Sequence, residues 1–87
     1  MEKVYDFYSD AGHGWLRVPK KELVELKIAD KISEYSYING ASIYLEEDSD
    51  LTIFMEAYKK KNGTLPELRE HNTDNDSIIR TYQHYRG

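Results

Sequence analysis

The sequence predicts an α+β fold: a small antiparallel sheet with two helices packed on one of its faces. Three observations lead there. The dipeptide Asn39-Gly40 separates two runs rich in strand-forming residues, the strongest short signal for a hairpin. A second pair of such runs, Val4 to Tyr8 and Trp15 to Val18, flanks a glycine-containing loop. Each pair is followed by apolar residues at helical spacing. The expected order is ββαββα plus one or two short strands, within a single domain spanning residues 1–87.

In chain order, Val4 to Tyr8 forms the first strand, and Ser9-Asp10-Ala11-Gly12-His13-Gly14 the loop that returns it. Tyr5 and Phe7 then share a buried face with Leu16 and Val18. Pro19 suits the first position of a helix, whose apolar stripe is Leu23, Val24, Leu26 and Ile28. Ala29 to Ile32 connects it to the hairpin. A two-residue Asn39-Gly40 turn sets Ile38 opposite Ala41, Tyr37 opposite Ser42 and Tyr35 opposite Tyr44. Ile38, Ala41, Ile43 and Leu45 lie on one face; Tyr35, Tyr37, Ser42, Tyr44 and Glu46 make the other. Asp48, Ser49 and Asp50 are candidate caps for a second helix, in which Leu51, Phe54, Met55 and Tyr58 fall within about 100° on a helical wheel. Lys59, Lys60 and Lys61 complement its dipole, and Asn62-Gly63 ends it. Leu65 to Arg69 reads as an extended edge segment, His71 to Ser77 as a polar loop, Ile78 to Tyr82 as a last strand and Gln83 to Gly87 as a tail.

Composition narrows the function. The hydrophobic set is 39% and the charged set 32%, too apolar for a disordered chain. No apolar run reaches the length of a membrane span, and the first residues carry no signal-peptide core, so a cytoplasmic protein is expected. Cysteine is absent, which excludes disulfides and thiolate metal sites. The formal charge of −4 argues against a nonspecific nucleic-acid binder. Eight tyrosines, against two phenylalanines and one tryptophan, suit both a small wet core and a binding surface.

No catalytic or cofactor motif stands out. Gly12-His13-Gly14 lacks the third glycine and the Lys-Ser or Lys-Thr of phosphate-binding loops. His13 with Asp10 or Asp6 makes a base and its orienter, but no nucleophile accompanies them at a diagnostic spacing. Glu46, Glu47, Asp48 and Asp50 concentrate carboxylates without the glycine and distant Glu of a calcium loop, and His71, Asp74 and Asp76 form a thinner cluster. Both read as a helix cap or a solvated loop, so no metal and no cofactor are expected. Lys59 to Lys61 with Arg69, Arg80 and Arg86, beside Tyr82 and Tyr85, offer cations interleaved with aromatics, the pattern that grips single strands. The hairpin's polar face carries Tyr35, Tyr37 and Tyr44, running into Glu46, Glu47 and Asp48. These six are the candidate partner-binding residues if that face meets solvent. If the C-terminal segment covers it, the tyrosines extend the core.

The chain also resembles a family of short, uncharacterised proteins of bacteriophages, prophages and bacterial genomes. The resemblance lies in Phe7-Tyr8-Ser9-Asp10, Gly12-His13-Gly14-Trp15, Ile28 to Ser33, Tyr35-Ser36-Tyr37, Tyr44 to Asp48, Arg69-Glu70-His71, Ile79-Arg80, Tyr82 and Tyr85, nearly the whole chain. It implies a protein of the host bacterial cytoplasm and carries no catalytic residues. The expectation is a small non-enzymatic accessory protein that binds a host protein, as an inhibitor of a host defence system such as CRISPR. The alternative is a nucleic-acid-binding module built on Lys59–Lys61 and tyrosine stacking.

Overall fold

The computed structural model describes residues 3–86. Its elements are strands β1 (Val4–Ser9) and β2 (Gly14–Pro19), helix α1 (Lys20–Glu25), a 3₁₀ turn at Ala29–Lys31, and strands β3 (Tyr37–Asn39) and β4 (Ser42–Glu46). Helix α2 (Asp50–Asn62), strand β5 (Glu67–Asn72), a second 3₁₀ turn at Ile78–Thr81 and strand β6 (Gln83–His84) complete them. The fold is α+β, but the sheet is larger than expected, with six strands in the order β5-β1-β2-β4-β3-β6. It is also mixed: β5 runs parallel to β1, while the other pairings are antiparallel. The parallel pair follows from connectivity, because α2 carries the chain from β4 across the sheet to its far edge.

Alternation along β2 divides the interior into two layers. Leu16 and Val18 point toward the helices and are fully buried. With Tyr5, Leu23, Ile43, Leu45, Phe54 and Tyr58 they form the main core. Each such aliphatic side chain contributes about 1.5–3 kcal/mol through burial. Tyr5 meets Phe54 edge-on at 5.2 Å between ring centroids, so β1 and α2 are joined by aromatic contact. At Gly14 the Phe7 ring packs so closely that a Cβ would sit 2.4 Å from its Cζ, which restricts the position to glycine. On the opposite face, Trp15, Tyr44 and Ile79 form a second cluster, with Tyr8, Tyr37 and Tyr82 packed around it. The C-terminal 3₁₀ turn therefore covers the face that a two-layer domain would leave open.

Several expectations need correction. The hairpin register pairs Tyr37 with Tyr44 and Asn39 with Ser42, not Tyr35 with Tyr44. The turn residues are Gly40 and Ala41; Gly40 has φ +62° and Asn39 is not in the left-handed region. Glycine in the first central position is the type II′ pattern, whereas Asn-Gly in the two central places would need positive φ at both. The slip is two residues, so the side chains keep their expected faces. Residues 33–36 leave the strand altogether. Asp50 holds them: its carboxylate accepts from Ser33 N at 3.0 Å, from Ser33 Oγ at 2.7 Å and from Ser36 Oγ. Ser36 Oγ in turn accepts from Glu46 N at 3.0 Å. Asp50 is thus the buried first residue of α2; of the three candidate caps, Ser49 takes the N-cap position, without a side-chain cap hydrogen bond. Ile78 to Tyr82 is a 3₁₀ turn rather than a strand, because Ser77 Oγ caps it at Ile79 N. The strand lies in the expected tail, at Gln83–His84.

Helix α1 is short and Val24 is exposed rather than part of its apolar stripe. It ends in a Schellman arrangement: Ile28 N donates to Leu23 O and Lys27 N to Val24 O, both at 3.0 Å, with Leu23 and Ile28 buried together. Lys27 occupies the left-handed position at φ +61°.

Two stability predictions follow from these contacts. Asp50→Ala removes the acceptor of three donors at a buried position and is expected to cost about 3 kcal/mol or more, against about 1 kcal/mol for Ser33→Ala. Urea unfolding of both variants checks the contrast. Lys27→Gly relieves a left-handed side chain and is expected to stabilise by about 0.5–1 kcal/mol; an unchanged or lower urea midpoint contradicts the strain assigned to Lys27.

Candidate binding site

The register of β2 against β4 builds the site. Trp15 pairs with Glu46 across the two strands, so the two side chains stand side by side on the Trp15 face. A cleft of about 360 Å³ opens over them, lined also by His13, Tyr35, Tyr37, Asp48, Ser49, Arg80 and His84. Its floor is aromatic: Trp15 and Tyr37 lie 6.2 Å apart between ring centroids, and Tyr37 and His84 4.7 Å. One end is acidic, formed by Glu46 and Asp48.

Of the six residues expected to meet a partner, four line this cleft: Tyr35, Tyr37, Glu46 and Asp48. Tyr35 is 69% exposed, on the turn that Asp50 pulls out of the strand. Tyr44 is buried, its ring 5.2 Å from that of Tyr82. Burial first, and then the neighbouring Tyr82, push its hydroxyl pKa up. Glu47 is exposed, and its carboxyl carbon would lie 3.1 Å from a Cβ at Gly14, toward Phe7 and away from the cleft. His13, Trp15, Ser49, Arg80 and His84 complete the lining without having been expected there. Only the alternation of β2 hinted at Trp15; its partner across the strands was not legible.

Two buried polar atoms here have no hydrogen-bond partner, Trp15 Nε1 and Glu46 Oε1. The other Glu46 oxygen accepts from Asp48 N and Ser49 Oγ, both at 3.1 Å, which fixes the carboxylate's orientation. His13 Nδ1 is 3.6 Å from Glu46 Oε1, too long for a hydrogen bond. The carboxylate beside His13 is therefore Glu46, and not the Asp10 or Asp6 suggested by the sequence. Asp10 instead ties down the cleft's rim. It accepts from Gly12 N and His13 N at 3.0 Å, from Ser77 N at 2.9 Å, and from Arg80 through two guanidinium nitrogens at 2.7 and 2.9 Å. Arg80 then stacks over Trp15 at 5.4 Å. The hydrogen bond from Arg80, followed by that from Ser77, holds the Asp10 carboxyl far below the usual carboxylate range.

The other sequence-derived candidates do not converge. His71 and Arg69 both bond Asp6, at 2.9 and 2.8 Å, on the β5 edge. Lys59, Lys60 and Lys61 are exposed at the end of α2, while Tyr85 is buried with its hydroxyl on Ala29 O. Arg80 is committed to Asp10, so its charge is already paired. None of the helices among the described residues is long and apolar enough to cross a membrane. Comparison with known proteins finds no matching family model, no curated relative and no similar solved structure.

Acid should loosen both the β5 edge held by Asp6 and the cleft rim held by Asp10. Arg69 and then His71 draw the Asp6 carboxyl down to about 2 from an unfolded value of 3.8, and Asp10 is lowered further. With folded values depressed, the unfolded chain binds more protons between those limits, so stability is complete above about pH 4 and is lost as pH falls toward 2. Asp6→Asn and Asp10→Asn are each expected to flatten that acid limb in urea midpoints measured across the range. An unchanged slope in both variants contradicts the assignment.

Proposed function

We propose that the chain is a non-enzymatic protein-binding module that seats a segment of a partner polypeptide in the Trp15 cleft. The observation that carries this reading is Trp15 Nε1, a donor buried without an acceptor on the floor of an aromatic cleft. Such a donor costs about 1–3 kcal/mol while it stays unpaired; a partner's carbonyl oxygen removes that cost once the side chains sealing the indole, Arg80 among them, move aside. Tyr35 and Tyr37 supply broad, rigid contact area, the usual anchor of protein interfaces. Glu46 and Asp48 make the same end of the cleft acidic, which favours a basic partner surface and speeds encounter with it.

The chemistry of the cleft supports binding over catalysis. Ser49 Oγ donates to Glu46, and Glu46 faces His13. A hydroxyl nucleophile needs the imidazole as its immediate neighbour, with the carboxylate behind. Here the carboxylate stands between them. The resemblance to phage proteins supplies the setting we attach to this reading: an accessory protein of the host cytoplasm that occupies a host factor, a defence component such as a CRISPR effector among the candidates.

The experiment is affinity capture from bacterial lysate with and without nuclease, comparing the parent with Tyr35→Ala, Trp15→Phe and a Lys59/Lys60/Lys61→Gln triple variant, each first shown to melt near the parent. A nuclease-resistant protein partner is expected, held at least about tenfold more weakly by the Tyr35 and Trp15 variants and unchanged by the lysine variant. Undiminished capture by both aromatic variants sinks the cleft as the binding surface. Nuclease-sensitive recovery that is lost with the lysines establishes nucleic-acid binding instead.

A further inference from the structure

We propose that the acidic end of the cleft is a metal site, at which His13 Nδ1, Glu46 Oε1 and a carboxylate oxygen of Asp48 bind one divalent transition-metal ion. The inference does not rest on the polypeptide reading: the two share Glu46 and Asp48, but a metal site needs neither Trp15 Nε1 nor the tyrosines. His13, Glu46 and Asp48 can each offer one ligand atom such that all three lie within 4.8 Å of one another. His13 Nδ1 and Glu46 Oε1 are 3.6 Å apart. That is near the roughly 3.4 Å edge of a tetrahedron whose metal–ligand bonds are about 2.1 Å.

The second observation is independent of spacing. Glu46 Oε1 is a buried carboxylate oxygen without a hydrogen-bond partner. Leaving an anionic oxygen in that state is costly, and a cation beside it removes the cost. Its sister oxygen is pinned by Asp48 N and Ser49 Oγ, the kind of outer support that orients a ligating carboxylate. His13 is anchored too: its N–H donates to Asp10 Oδ1 at 3.0 Å and its carbonyl accepts from Asp10 N at 2.9 Å. Asp48 is exposed on the turn after β4 and supplies the third ligand. Arg80 also lines the cleft, but its charge is matched by Asp10.

The donor set selects the ion. One imidazole with two carboxylates suits Zn²⁺ and its transition-metal neighbours, whereas Mg²⁺ and Ca²⁺ prefer all-oxygen surroundings. Three protein ligands leave at least one position open to water or to a group brought by a partner. Neither Asp50, which is buried among the serines, nor Glu47, which lies toward Phe7, belongs to the site. The acidic run alone therefore hid it: the nitrogen ligand comes from the β1–β2 loop.

The test uses the whole chain with metal alone. Zn²⁺ at about a hundred times its Kd is expected to raise Tm by roughly 10–20 °C, and excess Mg²⁺ to leave it unchanged. Isothermal titration is expected to give one site, weakened at least about tenfold in His13→Ala and in Asp48→Asn, both exposed positions whose variants keep the fold. His71→Ala, at the other carboxylate-paired histidine, is expected to bind as the parent does. Paramagnetic Co²⁺ is expected to quench Trp15, the one tryptophan, whose ring lies 6.0 Å from that of His13. Absence of saturable Zn²⁺ binding overturns the proposal, as does binding indifferent to both His13→Ala and Asp48→Asn or abolished by His71→Ala.

Discussion

The Asp50 carboxylate is the interaction on which the rest of this structure depends. A buried charge survives only where hydrogen bonds replace its water, and here Ser33 N, Ser33 Oγ and Ser36 Oγ do so. The arrangement joins three segments at once. It starts α2, it bends residues 33–36 into a turn, and through Ser36 Oγ it reaches the backbone of Glu46 at the end of β4. The bend puts Tyr35 at the mouth of the cleft, and the contact with Glu46 N fixes the strand end that carries the acidic pair. One buried acid thus sets both a helix start and two parts of the candidate site.

A second carboxylate closes the other side of the sheet. Asp10 draws in its own loop through Gly12 N and His13 N, and draws in the C-terminal turn through Ser77 N and Arg80. Because Arg80 also covers Trp15, this clamp decides how much of the tryptophan face is sealed. Ile79 and Tyr82 ride on the same turn and bury Tyr44. Releasing the clamp would expose a second hydrophobic layer while leaving the helix-covered core in place.

Local signals in the sequence were reliable where they depended on side-chain parity. Tyr5 and Phe7 do share a face with Leu16 and Val18, and the two hairpin faces divide as read, since a slip of two residues preserves parity. Register was harder. Asn39-Gly40 announced a turn but not which two residues occupy its centre, and nothing local revealed that Asp50 would withdraw residues 33–36 from pairing. The strip Tyr35, Tyr37, Glu46 and Asp48 was legible because it follows one strand pair and its exit. Trp15, His13 and Arg80 were not, because they enter through the pairing of β2 with β4 and through a contact between Asp10 and Arg80, 70 residues apart.

The position of the cleft follows from how these two clamps are spaced. Asp50 secures the Tyr35 side, Asp10 secures the His13 and Arg80 side, and the strand ends of β2 and β4 lie between them. Neither carboxylate reaches Trp15 Nε1, and neither could satisfy Glu46 Oε1, which like them is an acceptor; both atoms sit in the gap. Both atoms are buried by neighbours that the clamps hold in place, so the fold shields them from water without satisfying them. A protein of this size has little stability to spare for two such groups. They sit side by side on adjacent strands beneath one cleft, and the proposed ligands are those that would supply the interactions the free chain lacks.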